Sequence, residues 1–175
     1  VLGTVALAMA AIVADSASPA VHFRAECLAA LDAMETRSLH PKIREMIGVY
    51  RSIVPSDRLP SRQHFDPLAI PHLLPNIWLV DVLDGSEPRF RYRLMGTRVA
   101  QAFAADITGR LFEDVHPDFA NNPMRGFLID VATTRRPHHR LGKPNAWPVN
   151  ELLSLERLFL PLAGDGVHVD IVLAL

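Results

Sequence analysis

The side chains best suited to chemistry gather in one stretch, Glu113-Asp114-Val115-His116-Pro117-Asp118, where three carboxylates and an imidazole fall within six residues. Such a set holds a metal only if its side chains converge. Pro117 forces a turn through the middle, so Asp114 reads as a helix cap and His116 as a turn residue. His138 and His139 are neighbours; on a strand they point to opposite faces and cannot chelate one ion. Ser154 lies between leucines with no G-x-S-x-G elbow around it. Glu156 beside Arg157 reads as cross-strand ion pairing rather than acid–base machinery, and neither a P-loop nor a glycine-rich dinucleotide fingerprint occurs. The inventory predicts no enzyme, no metal site and no identifiable cofactor.

The single cysteine, Cys27, excludes an internal disulfide framework and a cysteine-built zinc site, and suits a reducing, cytoplasmic compartment. With 18 basic and 19 acidic side chains, no charge excess exists to release counterions, so nucleic acid is not an expected partner. A chain of 175 residues that is 49% hydrophobic suits a folded domain with an appendage. Residues 1–14 are almost wholly apolar, yet fall short of the ~20 residues that span a bilayer. They read as a packed or dimer-forming helix, as the remnant of a signal or anchor, or as an unordered start. Membrane attachment is not expected unless that start is truncated.

The elements that must position these side chains follow from periodicity. Ser18 and Pro19 open a helix carrying Val21, Leu28, Leu31 and Met34, and Pro41 opens another carrying Ile43, Met46, Ile47, Tyr50 and Ile53. Their apolar stripes either cover the core or form a dimer seam, with Leu28, Leu31, Ile43 and Ile47 as the seam candidates. Five prolines between Pro55 and Pro75 preclude a long helix and mark a junction between an N-terminal extension (1–54) and a main domain (55–175). Residues 76–83 read as a strand. The next, from Arg89 to Leu94, alternates Arg89, Arg91 and Arg93 with Phe90, Tyr92 and Leu94, which predicts an antiparallel hairpin. Thr97 caps a short helix with Val99, Ala102 and Phe103 inward. A longer helix over 119–134 buries Met124, Phe127, Leu128 and Val131. Three strands follow, over 137–141, 152–162 and 167–175, the last two joined at Gly164-Asp165-Gly166 by a hairpin. The order predicts an α+β domain with a five-stranded antiparallel sheet and helices on one face.

Several strings, in order, sharpen this: Leu59-Pro60-Ser61-Arg62, Phe65-Asp66-Pro67, Leu73-Leu74-Pro75, residues 90–97 (FRYRLMGT), Ile107-Thr108-Gly109-Arg110 and Leu158-Phe159-Leu160-Pro161-Leu162. From about Tyr50 to the C-terminus the chain resembles an alphaproteobacterial family of single-domain PAS proteins. The resemblance implies a sensory or regulatory module with a cupped sheet around a small pocket, a flanking helix that dimerises, and a signalling partner such as a histidine kinase. It implies no catalytic residues. A flavin-binding class would need a cysteine on the helix after the second strand, and Cys27 lies far upstream. A haem-binding class would need a histidine on the longest domain helix, and 119–134 has none.

Trp78, Phe90, Tyr92, Phe103, Phe112, Phe127 and Phe159 are the inward aromatics. They read first as core; the alternative is a cavity of roughly a few hundred Å³ for an unknown small ligand, with Tyr92 as its polar handle. Arg135, Arg136, Arg140 and Lys143 form a local basic run. It is either a docking patch for an acidic partner or a strand edge kept from aggregating by charge. The Arg89/Arg91/Arg93 face needs acids or solvent, and Glu26, Asp32 and Glu35 of the first helix suit it.

Overall fold

The hairpin forms as alternation dictates: β1 (Trp78–Leu83) pairs antiparallel with β2 (Arg89–Met95), with Val82 opposite Phe90 and Val80 opposite Tyr92. The structure, a computed structural model, describes residues 19–143 and 154–175, and their side chains from residue 24. The apolar start, Ser18, the Val21 side chain and the expected beginning of the late strand at Leu152 lie outside the described residues. β3 (His138–Gly142), β4 (Leu155–Leu162) and β5 (Ile171–Ala174) complete a five-stranded antiparallel sheet in the order β2-β1-β5-β4-β3.

One face of the sheet is lined by Trp78, Tyr92 and Phe159, whose rings meet. Three helices lie after β2: α3 (Thr97–Phe103), α4 (Phe112–Val115) and α5 (Pro123–Thr134). The helix expected over 119–134 is divided. A 3-10 turn at Phe119–Asn121 precedes α5, because Pro123 lacks the N–H to continue it and the Asn122 side chain caps the backbone N–H of Met124 instead. In α3, Val99 is buried, while Ala102 faces solvent rather than the core. Its N-cap is Gly96, and Thr97 is the first helical residue.

The short helices after β2 take one face, as expected, and the N-terminal helices take the other. Register places Leu158, Leu160 and Leu162 opposite to Phe159, yet all are fully buried. The cover comes from α1 (Pro19–Glu35) and α2 (Pro41–Ile53), which bury Cys27, Leu31, Ile43, Met46, Ile47 and Tyr50. Two polar contacts anchor α2. The Tyr50 hydroxyl donates to the Pro161 carbonyl at 2.6 Å, and the backbone N–H of His40, the N-cap, donates to Glu156 Oε2 at 2.9 Å. Pro161 fits this strand because β3 pairs only as far as Phe159. Its missing N–H faces no neighbour there, and its carbonyl takes Tyr50 instead. Leu31, Ile43 and Ile47 therefore belong to the chain's own core; a dimer seam through them would require opening it. Leu28 alone of the four is half-buried. The junction at 54/55 runs through this core.

Three other expectations change. The alternation of β2 stops at Arg93, which is left without a partner where Leu79 pairs Leu94 and Val80 pairs Tyr92. This bulge turns Leu94 to the arginine side, where it is 44% exposed. The acids of α1 do not meet that face: Arg91 and Arg93 both bond Asp81, directly across the hairpin, and Arg89 bonds Glu113. Asp32 and Glu35 pair with Arg51, and Glu26 with Arg136. Finally, β4 and β5 pair antiparallel as the expected hairpin requires, but through the longer connection 163–170 rather than a tight turn. Leu59 N–H donates to Gly166 O and Ala163 N–H to Pro60 O, both at 2.9 Å, so the proline-rich segment holds this connection open.

Gly96 is where the hairpin turns into α3. A Cβ there would stand 2.3 Å from Leu74 O, 2.5 Å from Pro75 O and 2.7 Å from Ile77 O, all backbone atoms that cannot step aside. Gly96→Ala is expected to lower the unfolding free energy by about 2–3 kcal/mol in urea denaturation; an unchanged midpoint would contradict this close approach.

Candidate functional site: an aromatic interior with one phenol–imidazole bond

Alternation on β2 turns Phe90 and Tyr92 inward, β1 contributes Trp78, and β4 contributes Phe159. The loop Ile107-Thr108-Gly109-Arg110 delivers the next rings. Gly109 N–H donates to Tyr92 O at 2.6 Å and Tyr92 N–H to Arg110 O at 3.0 Å, closing the free edge of β2. Asp106 holds the turn by accepting the N–H and hydroxyl of Thr108, and Gly109 takes the left-handed φ of 86° that the return requires. The chain then enters α4, which lays Phe112 flat on Tyr92 with centroids 4.0 Å apart and planes 9° apart.

Around this stack stand Trp78 (6.2 Å from Phe112), Phe90 (6.2 Å, edge-on) and Phe103 (5.9 Å from Tyr92, edge-on). Phe159 meets Trp78 edge-on at 6.1 Å. The structure thus brings together six of the seven aromatics singled out by sequence. Phe127 stands apart: its ring stacks on His138 at 5.0 Å, and Arg140 lies 4.3 Å over it. Two members were missed. Phe119 packs 5.1 Å from Phe112, and His116 places Nε2 2.8 Å from the Tyr92 hydroxyl. The signal for His116 was its spacing: four residues after Phe112, it shares one side of a helical turn.

This pair is a polar contact inside a wall of rings. Burial raises the Tyr92 pKa, so the phenol keeps its proton. Burial also lowers the pKa of the half-buried His116 from its ordinary 6.5, favouring a neutral imidazole that can accept from the phenol. Protonation would remove that acceptor.

The remaining candidates are held elsewhere. Glu113 bonds Arg89, and Asp118 accepts from Asn121, so these two carboxylates are engaged with partners other than His116. Among the described residues no three His, Cys, Asp or Glu side chains converge on a metal position. Arg135 donates to Val167 O, and Arg136 bonds Glu26. Lys143 is exposed at the end of β3, an edge strand. A cleft of about 220 Å³ between Arg58, Ser61, His64 and Gly166 holds Ser61 Oγ 2.9 Å from His64 Nδ1. The Ser61 backbone N–H donates to that same nitrogen, so the pair is a capping box rather than an activated nucleophile.

The His116 contact has a pH sign. A folded-state pKa below the unfolded value near 6.5 means the unfolded chain takes up the proton first. Stability from this group is complete above that value and falls as pH drops through it towards the folded pKa. Stability measured from about pH 7.5 to about pH 5.5 is expected to fall more steeply in the native protein than in His116→Gln, which can accept from Tyr92 without titrating. Equal slopes would show that His116 contributes nothing; His138, also lowered by burial, titrates in both proteins.

Among the described residues no helix is long and apolar enough to cross a membrane. No curated protein matches the chain. A family profile described as PAS domain matches residues 38–175, a span that takes in α2, all five strands and the aromatic interior. The chain therefore belongs to the PAS domain family.

Proposed function

We propose that this PAS domain is a non-catalytic sensory module that binds a small, mainly apolar ligand against its aromatic interior. In this reading Tyr92 and His116 are the polar handle, and the liganded state is passed on by contact with a signalling protein such as a histidine kinase. The observation that carries it is the 2.8 Å Tyr92–His116 contact: a hydrogen-bonding pair among Phe103, Phe112 and Phe119, with His116 only partly shielded from solvent. Pockets for small ligands combine mostly apolar walls with a few placed polar groups, which is this pattern. Association with a second copy would use the side of α1 where Leu28 is half-buried, rather than Leu31. A cytoplasmic setting suits the lone, buried Cys27 thiol.

A second reading has its own support. Tyr92 and Phe112 stack at 4.0 Å, and Phe90, Tyr92, Phe112 and Phe159 are fully buried. That is the packing of a filled core, as an interaction domain without a ligand would have.

Native mass spectrometry of freshly purified protein separates the two readings. The sensory reading predicts an added mass that denaturation releases and that is reduced in Tyr92→Phe, a change costing about 1 kcal/mol of stability. A clean mass in the native protein would favour the filled core.

A further inference from the structure

Phe127, displaced from the aromatic interior, marks a second and differently charged place on the same face. The β3–β4 register sets His138 opposite Phe159 and Arg140 opposite Arg157, so these four side chains share the inner face. Arg140 covers the Phe127 ring, and His138 stacks on it. Arg157 is 7% exposed. It donates from Nη2 to Lys143 O at 2.9 Å, while its buried Nε–H has no partner among the described residues.

Like charges on residues directly opposite in register repel, and a buried cation without a carboxylate is a costly arrangement. The nearby acids are engaged: Asp130 lies 3.5 Å from His138 Nδ1, and Glu156 points to the opposite face, where it holds His139 and the N–H of His40. Burial and the neighbouring Arg140 push Arg157 down to about 10. A cross-strand arginine pair with a buried, unsatisfied N–H and no acid of its own among the described residues has the chemistry of an oxyanion receptor.

We propose that Arg157 and Arg140 bind the carboxylate or phosphate group of a small molecule at the β3–β4 edge of the inner face. Arg157 supplies its free Nε–H and Arg140 a second set of donors, while Phe127 fixes the Arg140 guanidinium in place. The site is separate from Tyr92 and His116, and the proposal does not rest on the ligand suggested for them.

Glu151, the one acid between Asp130 and Glu156 in the sequence, lies outside the described residues, and Glu151→Gln serves as the control for it. The test titrates the full chain with inorganic phosphate and, separately, acetate, against sodium chloride of equal ionic strength. It reads the Arg157 Nε–H resonance by NMR together with the thermal midpoint. At least one of the two ions is expected to shift that resonance saturably and raise the midpoint, and which one does so identifies the group. Arg140→Gln should weaken binding about tenfold or more, and Arg157→Met should abolish the midpoint shift while still folding, since it removes the unpaired charge. Should Arg157→Met fail to fold, the Nε–H shift and Arg140→Gln decide alone. The proposal is overturned if neither ion acts beyond chloride, or if the midpoint shift persists in folded Arg157→Met. It is equally overturned if only Glu151→Gln binds, because Glu151 then fills the site.

Discussion

The fold depends on strands that are apolar on both faces. Residues 158–163 of β4 and its continuation include five fully buried apolar side chains, and Ile171–Ala174 of β5 is buried throughout. A sheet with such a centre must be covered twice. The aromatic interior covers one side; α1 and α2 cover the other. Tyr50 joins helix to strand at the one carbonyl of β4, Pro161, that the end of β3 leaves without a strand partner. Burial then pushes both Tyr50 and Cys27 up, so each stays protonated in that layer. The outward half of the hairpin escapes this cover, and there Asp81 takes Arg91 and Arg93.

Much of this was legible in residue order. Strict alternation over residues 89–92 is a local pattern that only a strand satisfies, and the spacing of Ile43, Met46, Ile47 and Tyr50 is one that only a helix satisfies. Partnership was not legible. Charge alone suits Glu26 to any arginine; register decides that Asp81, and not α1, faces Arg91. The bulge at Arg93 leaves no mark on composition, and the glycines at 164 and 166 signal a turn without showing that Leu59 and Pro60 occupy its edge. Phe127 was misplaced because an apolar stripe records which side of a helix is buried, not which cluster it joins.

The same limit applied to the site. Aromatics at inward positions announced a hydrophobic interior, but His116 gained its meaning only when Gly109 and Arg110 closed the edge of β2 and turned α4 towards Tyr92. The inner face is thus divided electrostatically. Around Tyr92 it is neutral and ring-lined; towards β3 it carries Arg140 and Arg157. Unlike environments thus sit side by side on one continuous sheet face, and the two proposed sites fall on either side of that division.

Native-state hydrogen exchange tests most directly whether α2 is part of this fold rather than an appendage to it. If the double cover is obligatory, the amides of Ile47 and Tyr50 exchange through the same opening as those of Val172 and Leu173, with equal free energies and equal denaturant dependence. Exchange of α2 through a separate opening lower by more than about 2 kcal/mol, with β5 still protected, would contradict it.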